Sequence, residues 1–433
     1  MKIQNHPLRD FAWKELHARP YVRFTAAAHV FHVSFLSVEQ NEENDAEQRQ
    51  LLAEALNLAT NYETPRHRIS SVFVAGLGRL VVSWELHTEY VSYTLFLYEL
   101  AIPFVPFGFD FSDLLPKEWL RGFGKGPIVA TRMAIGRREQ MPSSLVGMRE
   151  LFEGHTLNGS EVMAGKASVW SCYREHEDGA NRIAVLADEM STHDLGRTVA
   201  RLLEIEDFWH LTLAPLPLAA KVKRELADAE RRMVTETDLL RETDRPEQKR
   251  AILDAVLGVA ADVEHLRARV SGELGRSLAR FVLLESIFSE LRESKIEHVL
   301  RLSGFVMRRI KPAADTYRGI LTRLANLSER VGRASDLLRT SIELHLEEQN
   351  QKLLESTERR VRLQLQLQGA VEGLSIVVIS YYVLTLFRQE LEAIDSAGGQ
   401  LNVELILGLA MPVTLVVVWR VLHSIRKRIR TNS

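Results

Sequence analysis

The sequence of 433 residues contains a single cysteine, Cys172. No internal disulfide can form, which is typical of proteins from a reducing compartment. Because Cys172 has no CxxC partner and no zinc ligands nearby in the sequence, we interpret it as a buried structural thiol. The N-terminus also lacks the apolar core of a secretory signal, since Lys2, Arg9 and Lys14 interrupt it. These absences predict a cytosolic location for the N-terminal domain.

An excess of either charge is also missing, because 55 Lys and Arg residues face 57 Asp and Glu residues, a net charge of -2. This balance gives no reason to expect a nucleic-acid partner. His87 and Glu89 form an HxE pair without the PCxxC of a zinc deaminase, and the motifs HExxH and GxSxG are absent. We therefore predict that the chain is not an enzyme and binds no cofactor or metal.

Two short polar clusters remain as candidate sites. The glycine-lysine loop at residues 122–126 resembles a phosphate cradle, but it lacks the Walker spacing and the Ser or Thr after Lys125, so a simple loop is the favoured interpretation. The second cluster is a candidate N-terminal motif that could bind an anion or a metal, or could cap and brace a domain edge. It consists of His6, Arg9, Glu15, His17 and Arg19.

Residues 1–212 show the pattern of an α+β cytosolic domain with an antiparallel sheet. Short alternating apolar segments predict its strands. These segments lie at residues 27–38, 80–86, 90–98, 128–135, 168–173 and 182–187. Two of them, 80–86 and 90–98, are close enough to form a hairpin. Longer segments at 42–61 and 194–211 predict helices.

Residues 213–368 predict a helical, coiled-coil-like stalk of three or four long helices. From residue 221 onward only Pro246 and Pro312 interrupt the segment: Pro246 is placed to open a helix, and Pro312 to kink or restart one. The last helix carries an a/d-type apolar seam that must pack on another helix, from this chain or from a second copy. The seam consists of Ile320, Leu324, Leu327, Val331, Ala334 and Leu338.

Two apolar segments at residues 369–387 and 403–422 are each about as long as the ~20 residues with which a helix crosses a bilayer. They predict a transmembrane hairpin within residues 369–433. Basic residues flank the hairpin on its outer ends, including a basic tail, whereas the connecting loop is acidic. Basic flanks stay on the cytoplasmic side, so we predict that both termini are cytoplasmic.

The stalk is predicted to continue into the first span without a breaker. Gln364, Gln368, Glu372 and Ser375 would then share one helical face at the membrane edge. An ionisable group at this depth indicates a water-filled path or a polar partner, so these four residues are a candidate pore-lining polar stripe. The alternative is that Glu372 extends to the cytosolic surface while the glutamines cap a helix bundle.

Motifs at both ends of the chain resemble a bacterial family of membrane-anchored proteins, domain of unknown function 3422. The N-terminal resemblance lies in residues 6–9 and 15–20, and the C-terminal resemblance lies in residues 346–350, 353–356, 371–375 and 379–382. It therefore covers essentially the whole chain. The resemblance implies a location in the bacterial inner membrane and names no reaction.

The architecture is also similar to CorA-type magnesium channels, which are ring-shaped oligomers whose first span lines the pore. Their Gly-Met-Asn signature after the first span is missing, because residues 385–389 are Thr-Leu-Phe-Arg-Gln. The favoured hypothesis is therefore an oligomeric membrane-anchored scaffold or regulator with a cytosolic protein partner. The alternative is a CorA-like ion channel.

Overall fold

A computed structural model describes residues 6–16, 20–36, 42–188, 190–243, 245–396 and 402–431. The chain divides into two compact units: the larger comprises Met1–Glu242 with Asp254–Ala334, and the smaller comprises Thr243–Leu253 with Ser335–Ser433. The strands of the larger unit are β1 (Ala28–Leu36), β2 (Ala59–Thr64), β3 (His67–Val74), β4 (Gly78–Leu86), β5 (Tyr90–Tyr98), β6 (Val129–Gly136), β7 (Asn158–Val162), β8 (Ala167–Glu175), β9 (Asn181–Ala187) and β10 (Ser294–Lys295).

The helices lie before, between and after these strands. They are α1 (Pro7–Leu16), α2 (Glu42–Ala55), α3 (Lys117–Arg121), α4 (Leu145–Glu150), α5 (Thr192–Leu213), α6 (Leu216–Glu242), α7 (Pro246–Glu290), α8 (Leu302–Ser396) and α9 (Val403–Thr431). Pro246 is the first residue of α7, as predicted, because a proline has no N–H to lose at that position. Pro312 lies inside α8, which continues without interruption into the predicted first span.

The strands form one sheet in the order β10-β7-β8-β9-β6-β1-β5-β4-β3-β2. The predicted β4–β5 hairpin is confirmed, with Leu86 opposite Val91. The predicted antiparallel sheet is confirmed for the other strand pairs, whereas β6 and β9 run parallel with Thr131 opposite Asn181. The long connection through β7 and β8 brings β9 back beside β6 in the same direction, which a short hairpin turn cannot do.

Helices cover both faces of the sheet. On one face, the core contains Val30, Met133 and Val185 from the strands together with Val199 from α5 and Leu284 from α7. On the other face, a second core gathers Phe35, Leu95 and Trp119, the last from α3. The sheet and the middle part of the predicted stalk therefore share a core, and the domain boundary at residue 212 stays a prediction.

The predicted seam of α8 is buried within the single chain. Ile320, Leu324, Leu327 and Val331 are each 3% exposed or less. Buried residues of α6 and α7 repeat at the same three- and four-residue spacing, for example Val222, Leu226 and Ala229 in α6. Ion pairs join the helices, including Arg323 of α8 with Glu230 of α6 at 2.6 Å. The packing partner that the sequence left open is therefore present in this chain, and the coiled-coil interpretation stays a prediction.

In the smaller unit, α8 and α9 contain the two segments that are long and apolar enough to cross a membrane. Their most apolar windows have mean hydropathies of 1.8 and 2.2, and only 6% of each window is buried. Upstream of the first span, every residue from 346 to 368 is exposed. Lys249 Nζ donates to Ser341 Oγ at 3.0 Å near the start of this unit's share of α8.

Candidate functional site

A layer of buried polar side chains lies between the sheet and α5, where apolar packing is the usual arrangement. We call it the polar layer. It consists of His32, Ser34, Ser83, Thr94, Thr131 and Asn181 from the strands, and Glu206 and Asp207 from α5. Each of these residues is 7% exposed or less. Because buried polar groups cost free energy unless they are hydrogen-bonded, such a layer is a candidate functional site.

Strand register explains how the sheet assembles its share of the layer. Ser83 lies opposite Thr94, Thr94 lies opposite His32, and His32 lies opposite Thr131. Thr131 in turn lies opposite Asn181 across the parallel pair. Since residues opposite each other in a sheet point to the same face, the five strands present one continuous row of polar side chains.

Helix α5 closes the row with two adjacent carboxyl groups. The first half of α5 packs apolar residues such as Leu195, Val199 and Leu202 on the sheet, but about one turn after Leu202 the helix buries Glu206 and Asp207 instead. Ser191 begins the helix by accepting a hydrogen bond from the Asp194 backbone N–H at 3.1 Å. The spacing of α5 thus directs both carboxyl groups inward in the second half of the helix.

His32 and Asp207 are the centre of the hydrogen-bond network. His32 Nε2 is 3.1 Å from Asp207 Oδ1, and His32 Nδ1 is 2.8 Å from Thr94 Oγ1. Ser34 Oγ donates to the same Asp207 oxygen at 2.6 Å. Burial raises the pKa of Asp207, but the charge of His32 and the hydrogen bonds from His32 and Ser34 outweigh it and hold that pKa below its usual range. Asp207 is therefore the ionised acceptor of the network.

Glu206 is the opposite case, although it is the next residue. Its Oε2 accepts from Asn181 Nδ2 at 2.9 Å and from Thr131 Oγ1 at 3.3 Å. Burial raises the pKa of Glu206 to about 7, because these neutral donors compensate only part of the desolvation of the charged form. The pKa of Asp207 is thus below the usual carboxyl range and the pKa of its neighbour Glu206 is above it, so that Glu206 titrates near neutral pH.

The network does not have the order of a nucleophilic triad. In a triad the serine hydroxyl donates to one histidine nitrogen and the carboxylate accepts from the other nitrogen. Here Asp207 and Ser34 both lie against Nε2 of His32, and Ser34 donates to the carboxylate itself. A cavity of about 120 Å³ adjoins the layer, with Glu85, His87 and Glu204 in its lining. This arrangement suits the storage or relay of a proton better than attack on a substrate.

A second candidate site is a cleft of about 680 Å³ at the glycine-lysine loop. The fold brings the loop beside α7, so that Lys125 lines the same cleft as Arg276 and Arg280. Both arginines form ion pairs with Glu89, the last residue of the turn between β4 and β5. The loop and Glu89, which are distant in the sequence, therefore line one cleft together with these arginines.

The family model described as protein of unknown function (DUF3422) matches residues 4–429. The chain belongs to this family. No curated protein matches the chain. The resemblance expected from the terminal motifs is thus confirmed, and the expected similarity to CorA-type channels gains no support from these comparisons. The family match begins before α1 and ends within α9, so it includes the sheet, the polar layer and both apolar helices.

The predicted N-terminal motif is only partly visible. His6 accepts a hydrogen bond on Nδ1 from the Leu8 backbone N–H at 3.2 Å, and its carbonyl accepts from Arg9 N at 2.8 Å, so His6 caps α1. The side chain of Glu15, and His17 and Arg19 altogether, lie outside the described residues. The two roles considered for this motif, binding of an anion or metal and bracing of a domain edge, both stay hypotheses. Among the residues that the structure describes, no group of three or more His, Cys, Asp or Glu could hold a metal ion.

The predicted polar stripe lies on α8 as the sequence suggested. Gln364, Gln368, Glu372 and Ser375 all belong to this uninterrupted helix, and their spacing places them on one face. Ser375 Oγ donates to the Val371 carbonyl one turn earlier at 2.8 Å, which satisfies its hydroxyl within the helix. The pore-lining role of the stripe stays a prediction.

The polar layer was absent from the sequence prediction, although one signal pointed to it. Strand β1 reads AHVFHVSFL, in which His32 and Ser34 occupy alternate positions of an otherwise mainly apolar strand that is buried almost throughout. Alternation alone assigns such residues to a solvent face. Only the packing of α5 against the sheet, with Asp207 bonded to His32 and Ser34, shows that this face is covered.

Proposed function

We propose that this protein of the DUF3422 family is a bacterial inner-membrane protein that crosses the bilayer twice, with both termini in the cytoplasm. Its role is that of an oligomeric, membrane-anchored scaffold or regulator whose sheet-containing unit binds a cytosolic protein. The main support is the exposure of both apolar windows, of which only 6% is buried. A core helix of a soluble protein would have such a window covered, so lipid is the environment that fits these helices.

The exposed part of α8 supports the oligomeric part of the proposal. Leu353, Leu354 and Leu367 are 65%, 69% and 66% exposed in the single chain. A helix that leaves such leucines uncovered gains stability when a second copy packs on it, because helices are stabilised mainly by burial of an apolar face. The mass of the assembly in mild detergent tests this: a multimer that Leu353→Asn with Leu354→Asn dissociates supports the proposal, and a strict monomer contradicts it.

An ion channel is the second candidate function. The supporting observation is that α8 continues without interruption into the first apolar segment. One face of the helix there carries Gln364, Gln368, Glu372 and Ser375. In a ring of copies this face could surround a water-filled path. Ion flux into liposomes should then fall when Glu372→Ala is introduced, while the control Glu358→Ala, on the exposed segment upstream, should leave it unchanged. Absence of flux from the intact assembly rules the channel out.

A further inference from the structure

Among the described residues that line the cleft at the glycine-lysine loop, positive side chains outnumber negative ones. Lys125, Arg276 and Arg280 supply three cations, and Glu89 and Glu273 supply two carboxylates. At about 680 Å³ the cleft is within the range of volumes that hold small organic molecules. All of these residues belong to the larger unit. The cleft therefore has the size and the charge to take an anionic ligand.

The two arginines already bind a carboxylate. Arg276 and Arg280 lie one turn apart on α7, and both guanidinium groups form ion pairs with Glu89. Arg280 and Glu89 have side chains that are 13% and 14% exposed, whereas that of Arg276 is 50% exposed. Planar guanidinium groups recognise carboxylate and phosphate oxygens with the same geometry. Glu89 thus occupies a position that is built for an oxyanion.

The glycine-lysine loop, which lines the same cleft, has the backbone of an anion cradle. Gly124 and Gly126 adopt φ values of +68° and +81°, a region that side chains other than glycine rarely enter. A Cβ atom placed on either glycine would meet nothing within 4 Å, so there is open space beside the backbone. Consecutive amides around left-handed residues form concave surfaces that bind anions. Lys125 lies between the two glycines.

We propose that this cleft binds a phosphate-bearing ligand between Lys125 and Arg276, and that Glu89 is an internal carboxylate that competes with the phosphate for the arginines. The inference does not depend on the scaffold or channel role, because it concerns the larger unit alone. The phosphate can belong to a soluble organic phosphate or to a phospholipid headgroup. Either source presents the same oxygens to the site.

The test is a binding titration on the full chain in non-ionic detergent, with pyrophosphate and ATP as soluble probes. The lipid arm uses nanodiscs containing phosphatidic acid, with nanodiscs of phosphatidylcholine alone for comparison. Lys125→Ala and Arg276→Ala should each weaken binding by about 10-fold or more, because each removes a charge-assisted contact. The matched control is Arg267→Ala, an arginine on the same helix that is 55% exposed and pairs with Glu264.

Glu89→Gln gives the result that distinguishes this site from an ordinary basic surface. Removing the competing carboxylate should tighten phosphate binding several-fold, whereas a purely structural role for Glu89 would leave affinity unchanged or lower it. Retained tryptophan fluorescence shows that the variants are compared as folded proteins. A phosphate-dependent rise in Tm of the wild-type chain shows that the probe binds the folded state. The inference is overturned if no probe binds, if Lys125→Ala and Arg276→Ala behave like the control, or if Glu89→Gln fails to tighten binding.

Discussion

The buried carboxyl of Glu206 predicts a specific pH dependence of stability. Its pKa is raised by burial from 4.5 to about 7 in the folded protein. Between these two values the folded state binds the proton more tightly than the unfolded state, so this group favours folding at low pH. That contribution is fully present below about pH 4.5 and is lost as the pH rises to about 7. At pH 8 the folded protein must hold an ionised Glu206.

The variant Glu206→Gln removes this proton while keeping the size of the side chain. Because the pKa of Glu206 rises from 4.5 to about 7 on folding, its ionisation lowers the free energy of unfolding relative to low pH. The loss is about 3 kcal/mol at pH 8 but less than about 1 kcal/mol at pH 5. Relative to the wild type, the variant should therefore gain about 2 to 3 kcal/mol of unfolding free energy between pH 5 and pH 8. The glutamine amide can still accept from Asn181 and Thr131, so little change is expected at pH 5.

The assay is denaturant unfolding of the full chain in detergent, followed by tryptophan fluorescence at both pH values. Trp119 and Trp209 lie in the larger unit and report on its unfolding. Glu177→Gln is the matched control, because Glu177 is an exposed carboxyl of the same unit. The reasoning is refuted if Glu206→Gln changes stability equally at pH 5 and pH 8, or if the control shows the same difference.

Two further predictions concern packing. Gly196→Ala on α5 should destabilise the larger unit by about 1–3 kcal/mol, because its Cβ would lie 2.2 Å from the Val22 carbonyl oxygen. The control Gly275→Ala, whose Cβ would meet nothing within 4 Å, should be neutral or slightly stabilising. An equal effect of the two substitutions would contradict the close approach of Val22 to Gly196. Leu327→Ala should lower the free energy of unfolding by about 2–5 kcal/mol in the same assay, because Leu327 is 1% exposed. Leu337→Ala should lower it little, because Leu337 is 68% exposed. Equal losses of stability would show that the seam is not buried as described.

Elements that depend on local pattern could be predicted from the sequence. The β4–β5 hairpin, the start of α7 at Pro246 and the continuity of α8 into the apolar segment all follow from alternation, proline position or the absence of a breaker. Each of these signals lies within a short stretch of sequence. Neighbouring residues determine these elements, so they can be predicted without knowledge of tertiary packing.

The β2–β3 hairpin could not be found in this way because the predicted helix at 42–61 ran through it. The structure ends α2 at Ala55 and begins β2 at Ala59. Asn57 between them has a φ of 52°, and asparagine is one of the few residues that enter this region readily at a helix end. The leucines at 51, 52 and 56 supplied a helical period that concealed this stop signal.

The polar layer could not be predicted because its partners are distant in the sequence. His32 and Asp207 are separated by 175 residues, and the row of strands is continuous only because β9 returns parallel to β6. Neither fact is contained in the local sequence. The cleft depended in the same way on the approach of α7 to the loop at Lys125, a contact between segments more than a hundred residues apart.

The polar layer lies beside an apolar core on the same face of the sheet, and this contrast argues for a function. The same face of the sheet buries Val30, Met133 and Val185 with ordinary apolar packing, so the fold does not require polar side chains there. Replacing both partners of a buried polar pair by apolar groups of similar shape is often neutral or stabilising. A carboxyl that is fully buried with a pKa of about 7 lowers stability at neutral pH. A carboxyl that lowers stability at neutral pH is most simply explained by a role in which Glu206 binds and releases a proton. A Glu206→Gln variant that folds but loses a pH-dependent property of the wild type would identify that role.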